Sequence, residues 1–132
     1  MLFRSLKLRG NVTNPCRADF RGYATDVLRG NVRSLHETGA TVAVVTAATS
    51  AFPFSARAWF ENNKCSNEII RAVARSEPGA QLIDLAKWMC PDPLAGCVNE
   101  QQGVRMRTDL VHYRARAAEV VVQWMMEQLP RR

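Results

Sequence analysis

Apolar positions along the chain fall into three helical stripes and two continuous runs. Phe20, Ala24, Val27, Leu28 and Leu35 recur at the spacing of one helix face, which predicts a helix opening near Asp19 and ending at Gly39. Thr41-Val-Ala-Val-Val-Thr-Ala47 is mostly β-branched without polar alternation, as in a parallel strand buried on both faces. Ile69, Ile70, Val73 and Ala74 mark a second helix from Asn67, stopped by Glu77-Pro78-Gly79. Ala80 to Leu85 reads as a second buried strand. Ala115, Ala118, Val122, Met125 and Leu129 form the stripe of a last helix. Residues 48–66, with Pro53, and 86–108 read as connections. At the start, Leu2, Leu6 and Leu8 share one parity, so a short strand is expected before turns at Gly10-Asn11 and Asn14-Pro15.

Residues 1–19 therefore stand apart as an N-terminal segment, and 20–130 form one α/β unit. Helix, strand, helix, strand, loop, helix is half of a doubly wound fold. Thr41–Ala47 expects a neighbour on each side, and only Ala80–Leu85 is evident. One edge of the sheet is then expected to stay open, which favours low stability and self-association.

At 132 residues the chain is one domain. Its net charge of +6 comes almost wholly from arginine, fifteen Arg against three Lys. Those arginines are scattered, and no aromatic–basic interleaving marks a stacking platform, so nucleic acid is not expected as a partner. The longest apolar runs fall far short of the roughly 20 residues that span a bilayer. Met1 to Arg9 mixes charge into its apolar residues, unlike a secretory signal. The four cysteines, Cys16, Cys65, Cys90 and Cys97, form no Cys-x-x-Cys, and His36 and His112 complete no zinc spacing, so no metal or cofactor is expected. An even count suits disulfides and an oxidising compartment. Cys16 and Cys65 each precede a predicted helix; a bridge and two free thiols both remain open. His36 reads as a surface residue favoured by the end of the first helix. Trp59, Trp88 and Trp124 read as packing residues or as the lining of an acyl or sugar pocket.

The chemistry concentrates in Arg105-Met-Arg-Thr-Asp-Leu-Val-His-Tyr113. Asp109 and His112 sit three apart ahead of the last helix. Asp109 either caps that helix or accepts a hydrogen bond from His112, and a carboxylate that orients an imidazole is two thirds of a hydrolytic triad. Upstream run Ala80-Gln-Leu-Ile-Asp-Leu-Ala86, Lys87-Trp-Met-Cys90 and Cys97.

In this order the chain resembles the C-terminal half of SGNH (GDSL-type) hydrolases, most of all the extracytoplasmic SGNH domains of bacterial membrane acyltransferases. The resemblance covers roughly residues 20–130, and its motifs lie in 80–129. It implies a flavodoxin-like parallel sheet of five strands, with the N-terminal strands missing here. It implies Asp109 as triad acid and His112 as base, acting in ester hydrolysis or O-acyl transfer on acylated, cell-surface glycans. It also implies an extracytoplasmic location and a membrane acyltransferase domain in the parent protein. On that motif and the short loop between them, Cys90 and Cys97 are expected to be bridged, a closure worth up to roughly 3 kcal/mol.

The departures are specific. Leu110 stands where the family usually has Gly, no Gly lies near Ala117, and the chain holds no Gly-Asp-Ser block. Of the serines, Ser34 and Ser76 fall in or at the end of helices, and Ser66 caps one. Ser50 alone sits at a plausible sheet edge, without the glycines of a nucleophile turn; Thr46 and Thr49 fare no better. The chain alone is therefore expected to be inactive. A non-catalytic α/β interaction module derived from the same fold is the alternative.

Overall fold

A computed structural model describes residues 6–8, 10–48, 56–91, 97–107 and 112–130. The chain is an α/β protein with four helices and three two-stranded sheets among these residues. Strands β1 (Leu6–Leu8) and β2 (Asn11–Thr13) form an antiparallel hairpin. Its turn uses Gly10 at φ +84°, a conformation open to glycine without steric cost. The expected early strand thus pairs with β2 rather than extending the main sheet.

Helix α1 (Ala18–His36) follows, then β3 (Val42–Val45), α2 (Ala56–Ser76) and β4 (Ala80–Ile83). β3 and β4 run parallel in the register Val42↔Ala80 to Val45↔Ile83. Side chains alternate along β3, and this alternation organises the molecule. Val44 is buried with Val32 of α1 and Val73 of α2 on one face. Val45 turns to the other face and packs against a second cluster. That cluster joins Leu85 and Met89 of α3 (Leu85–Met89), Met106, and Ala117, Val120 and Val121 of α4 (Arg116–Glu127). Between α3 and α4 lies a small hairpin, β5 (Glu100–Gln101) with β6 (Val104–Arg105).

Several expectations need correction. The second helix begins at Ala56 rather than Asn67, so Ser66 lies inside it and caps nothing. Cys65 likewise lies within α2. The segment 86–108 is not a plain loop, since it contains most of α3 and the β5–β6 hairpin. On α1, Val27 and Leu35 are exposed, whereas Val32 is the residue buried. On α4 the buried positions are Ala117, Val120 and Val121, and Val122 of the expected stripe is 57% exposed. The buried face lies one position N-terminal to the expected stripe, because alanine and valine occur on both sides of this helix. Ala43 is exposed, so β3 is not buried along its whole length.

Both pairs of cysteines are bridged. Cys16–Cys65 ties the approach to α1 onto α2, and Cys90–Cys97 links the end of α3 to the stretch before β5. Between α1 and α2 the link is polar. Arg21 pairs with Glu68 at 3.0 Å. Arg33 grips Glu77 with two bonds, 2.7 and 2.9 Å, and Arg29 reaches the same carboxylate at 3.0 Å. The Glu77 side chain is 3% exposed, and hydrogen bonding from Arg33 holds its carboxyl below the ordinary glutamate range. The arginine excess is spent partly on joining helices. His36, exposed as expected, lies over Gly79, where φ is +79° and an added Cβ would run into the imidazole. Its Nδ1 lies 3.0 Å from the carbonyl oxygen of Ala40.

Candidate functional site

The C-terminal ends of parallel strands are where α/β proteins gather functional groups. Here Thr46 directly follows β3 and Asp84 directly follows β4. Thr46 is 1% exposed. Its hydroxyl donates to Asp84 Oδ1 at 2.8 Å and accepts the Ala86 backbone N–H at 2.9 Å. Arg71, on α2, donates to both oxygens of Asp84, each at 2.9 Å. Asp84 also accepts from the Lys87 N–H and so caps α3. The bonds from Arg71 lower the Asp84 carboxyl to about 2, with smaller help from Thr46 and the Lys87 N–H, against the cost of burial. Such a group stays anionic across physiological pH. It is a weak base and a firm electrostatic anchor. Thr46, weighed from sequence as a nucleophile, instead joins β3, β4 and α3.

Asn67 completes this edge. It is 3% exposed. Its side-chain amide accepts from the Ala47 N–H at 2.9 Å and donates to the Ala47 carbonyl at 2.8 Å. Outside the anchor lies a hollow of ≈ 630 Å³, bordered by Phe60, Lys64, Arg71, Asp84 and Lys87. A second hollow of ≈ 480 Å³ shares Asp84, Lys87 and Pro91 with the first and continues to Trp88, Trp124 and Gln128.

His112 is exposed and lies in the segment that joins Arg107 to α4. It lines neither hollow. Its neighbour Tyr113 packs against the apolar cluster of α3 and α4, with the Arg107 guanidinium 5.8 Å from the ring centroid. Burial raises the Tyr113 phenol above its ordinary range, opposed by the charge of Arg107. Asp109 and Ser50 lie outside the described residues, as does the Trp59 side chain, so no distance joins Asp109 to His112. The expected helix cap is corrected: Ala115 occupies the N-cap of α4, at φ 46° and with no side-chain cap bond.

Among the described residues no group of three or more His, Cys, Asp or Glu could hold a metal ion, and no helix is long and apolar enough to cross a membrane. No family model, curated protein or solved structure matches the chain. The Thr46–Asp84–Arg71 anchor was missed from sequence. Its parts are 38 and 13 residues apart, and the only local signal was an acid directly after a strand.

Proposed function

We propose that the chain is the C-terminal, acid–base part of an SGNH-type esterase or O-acyltransferase domain. The observation that supports this reading is the path of the chain after β4. Strand, helix α3, the Cys90–Cys97 bridge, the β5–β6 hairpin and the His112 segment follow in one order and lead into α4. The same packing cluster holds α3, Met106 and α4. It fixes both ends of the segment that carries Asp109 and His112. In this reading His112 takes the proton of a serine and returns it to the leaving group, while Asp109 orients the imidazole and stabilises its cation. The serine, its oxyanion donors and the remaining strands of a doubly wound sheet come from outside these residues. Two disulfides suit the extracytoplasmic setting of such a domain. Its substrate is an acylated glycan or other small ester.

Nitrogen NMR of the His112 ring tests the pairing, because the two ring nitrogens report the tautomer. One tautomer dominates in the native chain, and Asp109→Asn mixes the two. Identical spectra for both would overturn the assignment. The isolated chain neither hydrolyses p-nitrophenyl esters nor reacts with a fluorophosphonate. Labelling at Ser50 would make it a complete enzyme instead. Absence of any acid–base coupling at His112, with the fold intact, would favour a non-catalytic module on the same fold.

A further inference from the structure

The second hollow points to a ligand of its own. Trp88, from α3, and Trp124, from α4, stack with centroids 4.4 Å apart and planes 9° from parallel. Both indoles pack against the core cluster of α3 and α4, are half-buried, and line this hollow. Leu82 and Pro91 extend the apolar floor, and Asp84, Lys87 and Gln128 supply the polar groups.

The rim sorts the candidates. A hydrocarbon chain would desolvate a carboxylate and an ammonium without bonding either. A polyphosphate would meet one lysine beside an anion held at about 2. A sugar ring fits both parts. Its C–H faces lie flat on an aromatic surface, and its hydroxyls each donate and accept. The rim offers one acceptor, one donor and one amide that does both. Among the described residues Asp84 Oδ2 accepts from Arg71 Nε alone, while Oδ1 takes the Thr46, Arg71 NH2 and Lys87 bonds, which leaves a lone-pair site on Oδ2. A volume of ≈ 480 Å³ lies within the range of small-molecule sites.

We propose that the Trp88–Trp124 hollow is a saccharide-binding site that stacks a sugar ring against its indoles and bonds the hydroxyls with Asp84, Lys87 and Gln128. This rests on the indole pair and its rim, and it is independent of Asp109 and His112. Because binding is read without turnover, its outcome is separate from that of the esterase test.

The oxidised protein is titrated with cello-, xylo-, chito- and malto-oligosaccharides while the indole N–H signals are followed by NMR. The Trp88 and Trp124 signals move saturably with at least one sugar series. Lys87→Ala and Gln128→Ala, both at exposed positions, each weaken binding about tenfold, the loss of one hydrogen bond. Trp124→Ala abolishes it, and Trp124→Phe, which keeps a ring in the core, retains a weaker response. No saturable shift with any series overturns the proposal. So does affinity unchanged in both rim variants, or a response confined to Trp59.

Discussion

The two faces of the β3–β4 pair are built by different means. On the α1–α2 face the apolar core is small, centred on Val32, Val44 and Val73. Ion pairs and a long-range disulfide add the rest, through Arg21, Arg29 and Arg33 against Glu68 and Glu77, and through Cys16–Cys65. On the α3–α4 face the apolar core is larger, with Met89 0% and Met106 1% exposed and two stacked indoles beside them. Its disulfide closes a separation of only 7 residues. One face is therefore held largely by groups that water, salt and acid can compete for, the other by removing apolar surface from water.

The largest effect comes from the crosslinks. A bridge over a separation of 49 residues restrains the unfolded chain far more than one over 7. Replacing Cys16 and Cys65 by serine lowers stability by about 4 kcal/mol, against about 2 kcal/mol for Cys90 and Cys97. Urea unfolding of the two double variants measures both. Equal losses would remove this part of the contrast. On the apolar face, Met89→Ala leaves a cavity beside Met106 and α4 and costs about 3 kcal/mol. A loss under about 1 kcal/mol would mean that this cluster collapses to fill the space.

Acid acts where the two faces meet, since Asp84 bonds Arg71 of α2 and caps α3. Asp84 has its carboxyl depressed to about 2, below the ordinary aspartate value. Its contribution is present above the unfolded value, near 4, and is lost as pH falls through the folded one. Stability should fall by about 2 kcal/mol between pH 5 and pH 1 on this account. Asp84→Asn should flatten that part of the curve. An unchanged pH profile in the variant would show that other carboxylates carry the response. Glu77, depressed by Arg33, adds in the same direction.

Two smaller changes complete the series. Ala115 holds a positive φ that suits glycine, so Ala115→Gly raises stability by about 1 kcal/mol in thermal melts. A drop would mean that the helix start relaxes without it. Arg21→Ala removes an exposed pair with Glu68 and costs less than about 1 kcal/mol, an effect that added salt erases.

Long periodic stretches made most of the fold legible. α1, β3, β4 and α4 lie within a few residues of their expected places. Five residues, Leu85 to Met89, are too few for a helical period to register, so α3 escaped notice. The first half of α2 was hidden because residues 56–66 carry few of the aliphatic side chains that marked its second half. Phase was harder than existence. On α1 the choice between Val27 and Val32 depends on which neighbour the helix meets, and a sequence does not state that. The site divides in the same way. Asp109 and His112 lie three apart, so the sequence alone suggests them as a pair, and Asp109 lies outside the described residues. Thr46, Arg71 and Asp84 come from three elements and meet only after folding.

The Asn67 amide has one more effect. Along β3 the groups of Val42 and Thr46 face β4, since their N–H groups bond to Gly79 and Ile83. By alternation those of Ala43 and Val45 face away, and Ala47 is next in that series. Asn67 takes both backbone groups of Ala47, acting as a one-rung substitute for a neighbouring strand. A foreign strand approaching this border would find two residues to zip onto before meeting a side chain already in place. Short borders of this kind nucleate fibrils and runaway stacking poorly. One buried asparagine thus fills a rung that no third strand takes among the described residues, and Asn67→Leu should raise the light scattering of the stored protein.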